Sequence, residues 1–270
     1  MIKLGAIIVT INKSKDELLE IIKHSNLSIP FVLRNQHTKT PVKEEEYKVG
    51  NGLIIEANDK GASVNRNRAI EKLECDYFLM LDDDIRVVNN AIDEISSFLS
   101  TNSNYDCLAF NVASENPNRP QKQIEKGGEP KSFFDISFFG PCHLCVSKKF
   151  IEEKKVYFDE LFGPGTKYPV GEDSEFVKRL FDSGAKFYRI PKVYLSAKQE
   201  ESTYFSQLDK NTFLKSAGIT YYLMYGKKWP IFLTRRMFKK KSFRFLHNIL
   251  VAKKGIREYK RMKNNENTSD

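Results

Sequence analysis

The chain has 270 residues, 40% hydrophobic, 12% aromatic and 29% charged, with a formal net charge of +9. That length and apolar content suit one large α/β domain with an appendage, or two small domains, folded and globular over most of the chain. The positive charge is local: residues 226–270 hold fourteen Lys or Arg against three Asp or Glu, a balance of +11 that leaves residues 1–225 at −2. An anionic partner is therefore expected at the C-terminal end.

Leu4 to Ile11 is a β-rich apolar run, and Ser14-Lys15-Asp16-Glu17 has the spacing of a capping box that opens an amphipathic helix through Leu18, Leu19, Ile21 and Ile22. The first apolar run is too short for a signal peptide, and no segment approaches the roughly eighteen apolar residues of a membrane span, so a cytoplasmic chain is expected. A second strand is expected over Ile29 to Leu33, ending in Arg34-Asn35-Gln36-His37, and a third over Gly52 to Ala57, ending in Asn58-Asp59-Lys60-Gly61. A helix from about Ala62 to Leu73 follows, then a strand from Asp76. The order β-α-β-β-α-β predicts a mostly parallel, Rossmann-like sheet flanked by helices.

Ala91 to Leu99 reads as a helix and Tyr105 to Asn111 as a strand. Asn116 to Lys131, rich in Pro, Gly, Asn and Gln, reads as a long loop of the kind that shapes binding sites. Phe133 to Phe139 and Cys142 to Val146 resume strand character, broken at Gly140-Pro141. Cys142 and Cys145 have C-x-x-C spacing, but no second pair accompanies them; packed strand cysteines are expected rather than a zinc or redox site. After the Gly- and Pro-punctuated loop Leu161 to Gly171, a helix opens at Glu172-Asp173 with Phe176, Val177, Leu180 and Phe181 on one face. Lys186 to Ile190 and Val193 to Leu195 are expected to be short closing strands.

Chemistry concentrates where the apolar strand Tyr77 to Leu81 runs into Asp82-Asp83-Asp84. Three adjacent carboxylates repel one another. They call for hydrogen-bond donors or for a hard cation, Mg²⁺ or Mn²⁺, that itself carries phosphate oxygens, at the sheet edge where open α/β folds take ligands. A solvated acidic turn is the alternative. Thr10 and Asn12 fall at the same edge, as do Arg66 and Arg68 near the start of a helix, where arginines suit a phosphate-bearing ligand and equally suit a solvated helix face. Asp173 reads both as a helix cap and as a carboxylate kept ionised by the helix dipole, ready to accept a proton.

Taken in order, Ile7 to Lys13, Asn58 to Asn67, Leu79 to Asp84, Phe158 to Phe162 and Gly171-Glu172-Asp173 resemble the family 2 glycosyltransferases of the GT-A fold, over roughly residues 4–205. The resemblance implies an inverting, metal-dependent transfer of a sugar from a nucleotide-diphosphate donor, a UDP-sugar being favoured. The implied acceptor is a glycan or lipid-linked sugar in bacterial surface polysaccharide synthesis. Position by position, it implies Thr10, Asn12, Asn35, Arg66, Asp82 and Asp83 around the donor nucleotide, and Asp84 with Asp82 on a Mn²⁺ or Mg²⁺ ion as the D-x-D motif. It implies Asp173 as the base that takes the acceptor proton. The chain departs from the pattern in three places. Ile11 stands where many relatives have a stacking aromatic, Asn35 stands where an acid is usual, and no histidine occurs over Pro191 to Thr203, which leaves Lys198 as another source of positive charge. Those departures favour one alternative, a catalytically silent partner that binds a sugar nucleotide or a membrane. The other alternative, a nucleotidyltransferase, would have a glycine-rich phosphate loop after strand one, where this chain has Asn12-Lys13-Ser14-Lys15.

From Tyr221 the chain turns aromatic and basic, through Tyr222, Tyr225, Trp229, Phe232, Phe238, Phe243, Phe245, Leu246, Ile249 and Leu250. This predicts a GT-A domain over residues 1–220 and a basic helical extension over 221–270 that lies on an anionic bilayer, peripherally on the inner face of the cell membrane. The alternative is that the aromatics pack back on the domain and the charges are solvated. No nucleic-acid motif accompanies the basic residues, and nucleic acid is not an expected partner. The polar end, Asn264 to Asp270, is of low complexity.

Overall fold

The computed structural model describes residues 2–119, 121–199, 208–239 and 245–266. Among the features read from sequence, Glu200 to Thr203, Phe243, the Phe238 side chain and residues 267–270 lie outside the described residues.

In chain order the elements are β1 (Leu4–Ile11), α1 (Lys15–Ser25), β2 (Phe31–Gln36), β3 (Glu45–Val49), β4 (Gly52–Ala57), α2 (Ala62–Lys72), β5 (Tyr77–Asp82), β6 (Ile85–Val87) and α3 (Ala91–Thr101). There follow β7 (Cys107–Ser114), β8 (Leu144–Ser147), α4 (Lys148–Lys154), α5 (Glu172–Asp182), β9 (Phe187–Ala197), α6 (Lys210–Tyr225), α7 (Trp229–Lys239) and α8 (Phe245–Glu266). The described strands form one nine-stranded sheet in the order β3-β4-β2-β1-β5-β8-β7-β9-β6. Within it β4, β2, β1 and β5 run parallel, as do β7 and β9. Strands β3, β8 and β6 are antiparallel to their neighbours.

Alternation along the strands gives each face its own core. Ile7, Val32, Phe78 and Met80 pack on one side with Ile70 of α2, Ile151 of α4 and Phe176, Val177 and Leu180 of α5. Ile8, Leu33, Leu79 and Leu81 pack on the other with Leu18 of α1 and Ile95 and Leu99 of α3. The expected capping box of α1 is present: Glu17 N–H donates to Ser14 Oγ, and Ser14 N–H donates to Glu17 Oε2 at 2.8 Å.

Three readings are corrected. Strand β2 starts at Phe31 and carries on through the polar Arg34, Asn35 and Gln36, all buried. The expected strand Phe133 to Phe139 is instead a 3₁₀ turn over Phe133–Asp135, set by Ser132 and Asp135 binding one another's backbone. The two closing strands are one bent strand, β9, whose register shifts opposite Asn111. Strand β3 and helix α4 were not anticipated. All four cysteines carry free thiols, with Cys142 in a 3₁₀ turn, Pro141–His143, and Cys145 in β8.

Helix α6 runs without a break through residues 220 and 221 and packs on both α5 and α8. Close approach of α6 and α8 depends on two glycines. A Cβ at Gly218 would lie 2.5 Å from that of Ala252, and one at Gly255 would lie 2.8 Å from Lys215 Cα. Phe162 and Tyr168 from the loop before α5 share a small core with Ile219, Ile256 and Tyr259. Some of the C-terminal aromatics thus pack on the domain, while Ile231, Leu246 and Leu250 remain exposed.

Candidate active site

Parallel pairing brings the ends of β1, β2 and β5 to one edge, with Val9 opposite Asp82 and Thr10 opposite Asn35. Asp83 and Asp84 form the turn into β6. Each carboxylate of the triplet is taken by a different donor. Arg66 Nη2 donates to Asp82 Oδ1 at 3.0 Å. Thr10 Oγ1 donates to Asp83 Oδ2 at 2.6 Å, and Lys13 Nζ lies 3.8 Å from the same oxygen. The backbone N–H of Gln199, just past β9, donates to Asp84 Oδ2 at 3.0 Å.

Arg66 also reaches across the cleft, its Nη1 standing 3.4 Å from Asp173 Oδ1 in the first turn of α5. One guanidinium therefore joins the tip of β5 to Asp173, which lies 107 positions after the arginine itself. Only 7% of Arg66 is exposed, whereas the side chains of Asp82 and Asp173 are 50% and 48% exposed. The arginine is the fixed part of the cluster, and the carboxylates are what a ligand would meet. Its guanidinium lies 5.3 Å from the ring centroid of Phe158, which is itself stacked on Phe176 of α5 at 3.9 Å. Gly140 passes close to the same acid; a Cβ there would lie 3.5 Å from Asp173 Oδ2.

Burial works against the charge of Arg66, but Asp82, Asp173 and Glu172 outweigh it and hold the guanidinium protonated above its ordinary range. The walls of the cleft push Asp173 up although half of its side chain is open to solvent, while Arg66 opposes the shift and Asp82 adds to it. Glu172 is raised by burial and by the Asp173 charge. Asp84 is likewise raised by burial, with Asp82 and Asp83 adding to the shift against the hydrogen bond from Gln199.

The predicted site residues separate into two groups. Thr10, Arg66, Asp82, Asp83 and Asp173 are joined in the cleft by the contacts above, with Asp84 beside them. Asn12 and Asn35 are used internally. Asn35 is fully buried; its Oδ1 accepts from Lys13 N–H at 3.0 Å, and its Nδ2 donates to Lys13 O at 2.7 Å and to Glu56 Oε2 at 2.8 Å. Its amide holds the β1–α1 loop. Asn12, at φ 52°, exchanges two hydrogen bonds with Thr38, which ties that loop to the end of β2.

Sequence reading missed Glu56, whose carboxylate binds Asn35, His37 and Tyr47. It thus brings an acid from β4 to the place where Asn35 stands for one on β2. His24 was also missed. It comes from α1 to 3.4 Å from Asp84 O and lines a cavity of about 510 Å³ with Lys23, Asp83, Arg86 and Lys198. Neither residue sits in a motif, so only the three-dimensional arrangement reveals it.

Among the described residues no three His, Cys, Asp or Glu side chains converge as a metal cage. The triplet fits a cation in a narrower sense. The raised Asp84, crowded by Asp82 and Asp83, gives one carboxylate stabilised by a positive ion, and a hard ion takes its remaining ligands from phosphate oxygens and water.

No family model and no curated protein matches the sequence. Solved structures do match. TarS 1-349 from S. aureus in complex with UDP-GlcNAc superposes with a TM-score of 0.61 at 17% identity, over 83% of this chain and 67% of that one. Another S. aureus TarS structure gives 0.59 at 16% identity over 83% of this chain, but only 40% of that chain is covered. TarS 1-349 alone gives 0.59 at 13% identity over 96% and 91%. Likeness at these identities concerns architecture, and TarS is a glycosyltransferase. The chain has a glycosyltransferase fold.

Proposed function

We propose that the protein is an inverting glycosyltransferase that moves a sugar from a UDP-sugar to a glycan or lipid-linked acceptor in bacterial surface polysaccharide synthesis. The observation that carries this reading is Arg66. A buried cation fixes the acid at the donor end, Asp82, and the acid at the acceptor end, Asp173, relative to one another. The TarS complex with UDP-GlcNAc on the same fold supports a uridine diphosphate sugar as donor.

In this reading Asp173 is the general base. Burial raises its proton affinity while Arg66 opposes the shift and holds the carboxylate in place, as suits a group that takes up a proton in the reaction. It removes the acceptor hydroxyl proton as that oxygen bonds to the anomeric carbon. The bond from that carbon to the diphosphate oxygen breaks on the opposite side, and configuration inverts. Thr10, Lys13 and Asp83 form the wall beside the nucleotide. A Mn²⁺ or Mg²⁺ ion held by Asp84 with Asp82 would supply positive charge to the departing diphosphate. Residues 1–220 supply the catalytic domain, and residues 221–270 hold it peripherally on the inner face of the cell membrane.

A thermal-shift series with UDP and UDP-GlcNAc, with and without Mn²⁺, tests the donor site on the wild type and on Asp84→Ala. UDP should raise the melting temperature only when both metal and Asp84 are present. Asp173→Asn should keep that shift while lowering transfer by about 10²- to 10⁴-fold. If no nucleotide shifts the wild type at millimolar concentration the donor assignment falls, and unchanged turnover in Asp173→Asn removes the base.

A further inference from the structure

The peripheral placement proposed above rests on the aromatic and basic composition of residues 221–270, and the surface inferred below rests on that placement. Helix α8 has two unlike sides. Asn248, Ala252 and Tyr259 are buried against the rest of the protein, and Gly255 lies against Lys215 of α6. On the opposite side, at helical spacing, lie Leu246, Leu250, Lys253 and Arg257. Leu246 is 82% exposed and Leu250 66%. A solvated helix face places polar groups there, so two neighbouring leucines left exposed among the described residues mark a contact surface.

The cations follow the leucines along the axis. Lys253, Arg257 and Lys260 stand one to three turns further on, around an apolar pocket of about 420 Å³ whose walls are Tyr222, Trp229, Pro230, Ile249 and Ile256. Lys260 Nζ sits 4.3 Å from the centroid of the Tyr222 ring. Glu258, the acid on this part of α8, is turned to the other side, 3.1 Å from Lys215 Nζ. Among the described residues no carboxylate pairs with Lys253 or Arg257. Ile231, at the start of α7, is a third exposed apolar side chain, at 67%.

We infer that this face is a docking site for anionic phospholipid, in which Leu246, Leu250 and Ile231 enter the acyl boundary and Lys253, Arg257 and Lys260 meet phosphates around the apolar pocket. The order of the residues supports a lipid surface over a soluble phosphate. A phosphate alone leaves the leucines uncovered, whereas a bilayer offers apolar depth and anionic height within the same roughly 16 Å from Leu246 to Arg257. The helix then enters obliquely, with its N-terminal end deepest.

Trp229 is the only tryptophan in the sequence and lines the pocket, so its fluorescence reports on the site directly. The test uses the full chain with phosphatidylglycerol vesicles, phosphatidylcholine vesicles and soluble glycerol phosphate. Phosphatidylglycerol should shift Trp229 emission to the blue and sediment the protein, and phosphatidylcholine should do neither. Lys253→Ser with Arg257→Ser should weaken the partition about thirtyfold, roughly fivefold for each charge, and Leu246→Ser with Leu250→Ser should weaken it by a similar factor. Equal binding to both vesicle types, no binding, or binding indifferent to both pairs of substitutions would overturn the proposal. A blue shift produced equally by glycerol phosphate would replace the bilayer with a soluble anion. The UDP-induced thermal shift of the same variants is read in parallel. Retained donor binding with lost vesicle binding, or the reverse, separates failure of the docking site from failure of the glycosyltransferase reading.

Discussion

The cleft and the outer face of α8 both gather charge, but they treat it in opposite ways. In the cleft every acid of the triplet has a donor assigned to it, and Arg66 spans two acids at once. On α8, Lys253 and Arg257 have no carboxylate partner among the described residues and sit beside exposed leucines. Charge compensated from within the fold holds reacting groups in position and contributes to stability. Charge left uncompensated contributes little to folding and awaits a counter-charge from outside. The same element type, a helix carrying charged residues, serves either end according to what packs against it.

The largest effect should come from breaking the joint between the two regions. Gly171, at φ 105°, precedes α5, and a Cβ there would fall 1.9 Å from Thr220 Oγ1 of α6. Gly171→Ala should cost about 3 kcal/mol through overlap and backbone strain. Adding Thr220→Ala should recover part of that loss in a urea melt; no recovery would mean that backbone strain alone accounts for it.

Arg66→Ala tests compensation inside the cleft. With the cation gone, Asp82, Asp173 and Glu172 repel one another, and stability at pH 8 should fall by about 2 kcal/mol, a figure reduced because Asp82 and Asp173 are half exposed. The deficit should shrink as pH falls and those carboxylates take up protons. A loss independent of pH would instead point to lost packing on Phe158.

Glu175, two residues past the proposed base, gives a pH signature of its own. It is 2% exposed, its Oε2 has no hydrogen-bond partner among the described residues, and burial pushes it up to about 7 from 4.5. Because the folded state keeps a proton that the unfolded state has released, this group's contribution to stability falls as pH rises from 4.5 to about 7 and is lost above that. Glu175→Gln should flatten that slope and raise stability at pH 8 by about 1–3 kcal/mol. His143 acts in the other sense, since burial lowers it to about 4 and stability is lost as pH falls below 6.5. The difference between variant and wild type isolates the glutamate.

The smallest effect is expected on α8. Lys253→Ser with Arg257→Ser should change the urea midpoint by the equivalent of about 0.5 kcal/mol or less. A large loss would show that these cations are compensated within the fold after all, and the contrast with the cleft would disappear.

Much of the sheet was legible because its signals are local. Leu4 to Val9 is apolar without a break, Ser14 and Glu17 cap a helix three residues apart, and the run Tyr77 to Leu81 ends in acids. Strand β2 was misplaced because Arg34, Asn35 and Gln36 look like loop residues. They are buried by distant partners: Asn65 and Asp59 for Arg34, Glu56 for Asn35, and Gly61 and Asn65 for Gln36. No local pattern announces such partners. The aromatic run from Phe133 likewise looked extended, yet Phe133 packs on Phe181 and Phe134 stacks on Tyr225 from a tight turn. In the cleft, residue types and order could be read from sequence, but the division of labour could not. That Arg66 holds Asp173, and that Asn35 is sealed inside, both depend on contacts between segments far apart in the chain.

Helix α6 lies between the two regions, touching Gly171 at the head of α5 through Thr220 and closing on α8 through Gly218. Its sixteen residues make a rod about 24 Å long, packed at both contacts by residues too close to slide. Whatever α8 rests on is therefore held at a set height and tilt relative to Asp173. On the proposed reading the protein would act as a gauge: an acceptor group would meet Asp173 only where it projects from that surface by the right length, so geometry would select chain length before any sugar is recognised.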